Sequence, residues 1–135
     1  MKTTTMKNFA GLTYVTVTDI PVKKSEFGEV IDVRPRELEE LVSTALIEFK
    51  IPVRGAEFRV FKSAIGLSNE AIGNKLGVSR NTVLKWGKEL DKRLPPPYEM
   101  LVRLLVAESL GIELEPSLDE LRAKDKPRKI SVKAA

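Results

Sequence analysis

The chain has 135 residues, 42% of them hydrophobic, and a net charge of +4 from 23 Lys and Arg against 19 Asp and Glu. That is enough to bury one core or a modest pair of subdomains. It contains no cysteine and no histidine, which excludes disulfides, thiolate or imidazole metal sites, and catalysis by a Cys or His. No apolar run approaches the roughly 20 residues that cross a bilayer, and Met1-Lys2-Thr3-Thr4-Thr5 lacks the apolar core of a signal peptide, so a cytoplasmic location is expected.

Residues 12 to 33 alternate as strands do, with Leu12, Tyr14, Val15 and Val17 in one run, Val30, Ile31 and Val33 in a second, and Ile20 and Val22 between them. Pro21 and the segment from Lys23 to Gly28 interrupt the runs, which predicts a small antiparallel hairpin or three-stranded sheet. Pro35 then suits a helix start, and Leu38, Leu41, Val42, Ala45, Leu46 and Phe49 follow helical spacing, predicting an amphipathic helix. Glu37, Glu39 and Glu40 sit in its first turns, where the positive end of the helix dipole favours carboxylates. A solvated helix end explains them better than an acidic catalytic pair does.

Ile51-Pro52-Val53-Arg54-Gly55 breaks that helix, and the next one turns Phe58, Phe61 and Ile65 inward before Gly66 ends it. Arg59 and Lys62 fall on its outer side. From Leu67 to Trp86 the pattern is of two capped helices joined by a very tight turn. Ser68 caps the first, Ala71, Ile72 and Leu76 are its apolar positions, and Gly77 closes it where positive φ is needed. Ser79 caps the second, whose Val83 and Trp86 point inward while Arg80, Asn81, Thr82 and Lys85 are left outside.

Pro95-Pro96-Pro97 follows, and then a helix with too many apolar residues for one stripe. Leu101, Leu104 and Leu105 are read on one side, with Val102 and Val106 turned from them, so that one side closes the domain and the other forms a dimer interface. Burial of both sides within one chain is the alternative. Ser117-Leu118-Asp119-Glu120 has capping-box spacing, and the Lys-rich stretch from Ala123 onward, with Lys124, Lys126, Arg128, Lys129 and Lys133, has no periodicity and reads as flexible. Three parts result: a strand-plus-helix unit over 1–53 for dimerisation or partner binding, a helix-turn-helix domain over 54–113, and a basic tail over 114–135. The fold class expected is α+β, mainly helical.

Charge follows the same division. Residues 54–93 carry nine basic and four acidic side chains, a net +5, whereas residues 1–53 carry seven and eight and residues 94–115 one and four. A local excess of this kind supplies the phosphate-neutralising part of DNA affinity.

Residues 57–97 resemble the Xre/Cro/CI-type helix-turn-helix family. Leu67-Ser68-Asn69-Glu70 stands where that family usually has Leu-Ser-Gln-Glu, the run Leu76-Gly77-Val78-Ser79-Arg80, Thr82-Val83 and Trp86 matches closely, and Gly87 replaces the usual Glu. The resemblance implies a lambda-repressor-like domain and a sequence-specific regulator of transcription that binds double-stranded DNA, a homodimeric repressor on a palindromic operator. Arg80, Asn81, Thr82 and Lys85 would then contact bases, and Asn69, Lys75, Lys88, Arg59 and Lys62 phosphates.

The order of parts also resembles MqsA-type antitoxins, which implies a toxin protein as partner. Their zinc ribbon carries Cys-x-x-Cys-Gly-Glu after a Pro-Val strand; here Pro21-Val22-Lys23-Lys24-Ser25-Glu26-Phe27-Gly28-Glu29 keeps the frame with Lys24 and Phe27 at the cysteine positions, so no metal is expected. A protein-interaction adaptor on the same three-helix scaffold is the other reading. No constellation of Ser, Lys and carboxylates reads as catalytic, so neither enzyme activity nor a cofactor is expected.

Overall fold

A computed structural model describes residues 2–114 and 117–134, leaving aside the Glu120 side chain on which the capping-box reading turns. The fold is α+β. In chain order it runs β1 (Thr3–Lys7), a single 3-10 turn (Phe9–Gly11), β2 (Val15–Ser25), β3 (Gly28–Ile31), α1 (Pro35–Glu48), α2 (Gly55–Ile65), α3 (Asn69–Leu76), α4 (Arg80–Lys88), α5 (Pro96–Leu110), the short α6 (Leu118–Leu121) and β4 (Ile130–Lys133).

The sheet is built on β2. β1 pairs with it antiparallel, Lys7 opposite Thr16 and Thr3 opposite Pro21. β3 pairs antiparallel through the hairpin Ser25–Gly28, and β4 pairs parallel, Val15 opposite Ile130 and Thr18 opposite Lys133. Between Val17 and Ile20 the pairing with β1 slips by one residue, at Asp19, whose φ is 54°. Strict alternation would turn Ile20 away from the face shared by Val15 and Val17; the bulge returns it to that face, and all three are buried.

Three features of the sheet differ from the sequence reading: β2 runs unbroken through Pro21 and on to Ser25, where interruptions were expected, and the other two concern its neighbours. β1 was not anticipated, and the segment expected to be a flexible tail supplies β4. Ile130 and Val132 alternate with exposed Ser131 and Lys133, and the two apolar side chains are buried. The path to β4 is fixed as well: the Lys124 N–H donates to the Lys50 carbonyl at 2.7 Å, and the Arg128 guanidinium lies 4.8 Å from the centre of the Phe49 ring. Among the tail cations, Lys133 lies 3.6 Å from Asp19.

α1 packs Leu38, Val42, Ala45, Leu46 and Ile47 inward, while Leu41 sits at the stripe's edge and Phe49 lies past the last turn, both exposed. α5 likewise corrects the sequence reading. Leu101 and Leu104 face outward, each 41% exposed, but Leu105 sides with Val102 and Val106 in the chain's own core. Leu105 lies angularly between Leu101 and Val102, so the turn of α5 towards the core takes it in. Beside it Arg103 is fully buried, donating to the Ile47 carbonyl at 3.0 Å and to the Leu121 carbonyl, which ties α1, α5 and α6 together.

Two backbone stretches close the helical region into a loop. The Leu94 N–H donates to the Val53 carbonyl at 2.9 Å, Gly55 to Lys92 at 3.1 Å and Ala56 to Leu90 at 3.1 Å. Gly55 is required there, because a Cβ at that position would lie 2.4 Å from the carbonyl oxygens of Trp86 and Glu89. Each stretch carries an arginine that forks a buried carboxylate. Arg54 Nε and Nη2 reach Glu57 at 2.9 and 2.6 Å, and Arg93 Nε and Nη2 reach Glu99 at 2.7 and 2.8 Å. Tyr14, entering β2, donates its hydroxyl to Glu57 at 2.8 Å. Burial, then the facing Glu57 carboxylate, push the Tyr14 phenol above its usual range, so it stays protonated.

If β4 belongs to the core as described, Ile130→Ala removes buried methyl groups and should cost about 2–4 kcal/mol in chemical unfolding. A loss within experimental error would return the C-terminal segment to the status of a tail.

Candidate nucleic-acid interface

The α3–α4 unit is set by local chemistry at each end. Ser68 Oγ accepts the Ala71 N–H at 3.1 Å, and Ser79 Oγ accepts the Thr82 N–H at 3.1 Å and lies 2.9 Å from Thr82 Oγ1. Gly77 ends α3 with φ 76°. The turn is tight because Gly73 lets the two helices approach: a Cβ there would stand 2.6 Å from the Val78 carbonyl oxygen. Ile72 and Val83 fill the angle between them and are fully buried. Trp86 packs edge-on against Phe58 with ring centres 5.7 Å apart and beside Tyr98 at 5.4 Å, so the second helix of the pair is fixed to both α2 and α5.

On the outer side of α4, Arg80, Asn81, Lys85 and Lys88 are exposed, whereas Thr82 is half-buried and engaged with Ser79. Helical spacing arranges them in two rows, Arg80–Leu84–Lys88 and Asn81–Lys85. Lys85 Nζ lies 3.7 Å from Oε1 of Glu89, the residue that follows α4, so this cation already has a carboxylate partner. Among the described residues Arg80, Lys88, Lys75, Arg59 and Lys62 have no such partner.

Between α2 and α4 lies an open groove of about 690 Å3. Arg59, Lys62, Asn69 and Lys88 line it, together with Leu67 and the partly exposed Leu84. Four of the five phosphate-contact candidates thus share one concave surface, continuous through Lys88 with the outer face of α4. Lys75, exposed at the end of α3, does not line it. Gly87 does, and its missing side chain leaves the groove open, the nearest atom to a Cβ there being Arg59 Cγ at 3.9 Å. Leu84 is the residue that sequence reasoning passed over. Its signal was present, since it stands at i+4 from Arg80 on the polar side of the helix.

Trp86→Ala opens a cavity under α4 and should cost about 3–5 kcal/mol in a denaturant titration. A variant as stable as the parent would show that the indole is not what holds α4 in place.

No family model, curated protein or solved structure matches this chain, and its own side chains carry the functional reading.

Proposed function

We propose that the chain is a sequence-specific regulator of transcription that binds double-stranded DNA, acting in the cytoplasm as a homodimeric repressor on a palindromic site. The observation that carries this is the capped α3–α4 pair presenting Arg80, Asn81, Lys85 and Lys88 outward beside a groove whose cations have no carboxylate partner among the described residues. α4 is the recognition helix. Arg80 opens it, and a guanidinium there can meet the O6 and N7 acceptors of guanine. Asn81 and Lys85 stand in the next row as base-reading groups, and Thr82 lies at the edge of the face. Arg59, Lys62, Asn69 and Lys88 line the groove for the phosphate chain, with Lys75 flanking. The +5 of residues 54–93 makes this binding depend on salt.

Leu101 and Leu104, the outward pair of α5, are the apolar surface available to a second copy; Leu105 supports them from inside. A toxin partner, as the MqsA-type resemblance implies, would have the β2–β3 hairpin to bind, where Phe27 is 90% exposed at the tip. An adaptor on the same scaffold is disfavoured by the polar and cationic residues at positions 80, 81 and 85.

Selection from a random DNA pool separates reading from holding. Arg80→Ala should cost about 1–3 kcal/mol on the preferred site and relax preference at one base pair per half-site, while Lys88→Ala should weaken all sequences similarly and lower the slope of log affinity against log salt. An unchanged motif for Arg80→Ala would favour the adaptor reading.

Because Leu101 and Leu104 are outside the chain's own core, replacing both by Ser should leave the fold intact and convert a dimer to a monomer by light scattering. A wild-type monomer at micromolar concentration would contradict the palindrome.

A further inference from the structure

We propose that Leu84 is a specificity residue, reading the 5-methyl group of a thymine in the major groove. The proposal rests on the DNA-binding reading above. Leu84 stands four residues after Arg80 and four before Lys88, so the three form one row along α4. It is 39% exposed and interrupts an outer face otherwise made of Arg80, Asn81, Lys85 and Lys88. The packing of α4 is met by Val83 and Trp86, both buried, while Leu84 borders the groove beside α2. The outer part of the Leu84 side chain is therefore left in water in the free protein.

Leucine has no hydrogen-bonding group, so it cannot distinguish donors from acceptors on base edges. The one apolar feature that base pairs present in the major groove is the thymine methyl. Arg80 and Lys88, unpaired within the described chain, flank the leucine and draw this row of the helix towards the duplex. Burying one methyl-sized group against Leu84 is worth about fourfold in affinity.

The test uses the full chain and a duplex selected from a random pool by the wild-type protein. Each thymine of a half-site is replaced in turn by uracil, which removes only the methyl group, and affinity is measured for wild type, Leu84→Ala and Leu84→Gln. Gln keeps the helix propensity and about the bulk of the side chain while making its end polar, so it guards against an effect of lost packing. The expected result is one thymine per half-site at which uracil weakens wild type about fourfold and leaves both variants unaffected. Uracil tolerated everywhere, a penalty that persists in both variants, or a selected half-site without thymine each overturns the role of Leu84 while leaving DNA binding standing. A folded protein that selects no sequence overturns the DNA-binding reading and this proposal with it.

Discussion

Glu57 and Glu99 are buried carboxylates, and the helix-turn-helix is suspended between them. Desolvating a carboxylate costs several kcal/mol unless charge-assisted hydrogen bonds replace the lost water. Both sites supply that replacement in the same way. Arg54 forks Glu57 and also donates its backbone N–H at 2.9 Å, while Arg93 forks Glu99, which accepts the Val53 N–H at 2.9 Å. Arg54 and Arg93 face each other as a bridge between the two backbone stretches, so the start of α2 and the approach to α5 are fastened at one place. Removing either arginine would leave a buried carboxylate without its counter-ion, at a cost of about 3–5 kcal/mol. The helices between the two arginines are thereby held as a closed unit, and their outer face keeps its spacing.

The fastening extends to the sheet. The Tyr14 hydroxyl joins β2 to Glu57, and the C-terminal segment crosses the end of α1 to place β4 along the other edge of β2. Residues from Phe9 to Val132 therefore share one hydrophobic cluster, although composition and charge divide the chain into parts. The base-reading role proposed for α4 would benefit from such support, because contacts to base edges are lost when a helix shifts by a fraction of a hydrogen-bond length.

What could be read in the sequence is what depends on near neighbours. Ser68, Gly77 and Ser79 mark the ends of α3 and α4, and the inward positions Ile72, Val83 and Trp86 follow from spacing alone. The exposure of Arg80, Asn81 and Lys85 follows from the same periodicity. β1 and β4 were not legible because Thr3–Lys7 and Ile130–Lys133 are short, polar on one face, and paired with a strand remote from β4 along the chain. Leu105 was misplaced because α5 is apolar over a wide arc, and only packing decides where such an arc meets solvent. Arg54 and Glu57 have helical spacing, but nothing in it says that the pair is buried. Leu84 was passed over because only the polar residues of α4 were weighed as contacts, although its spacing from Arg80 puts it on the same side.

The central claim is that one face, formed by α4 and the groove beside α2, meets DNA. A titration of the labelled protein with a short duplex at low salt, followed through backbone amide shifts by NMR, tests this most directly. The account predicts changes concentrated at residues 80–88, at Asn69 and around Arg59 and Lys62, with the β2–β3 hairpin and the outward face of α5 unaffected. Changes centred on the hairpin, or spread evenly over the cationic surface, would contradict it.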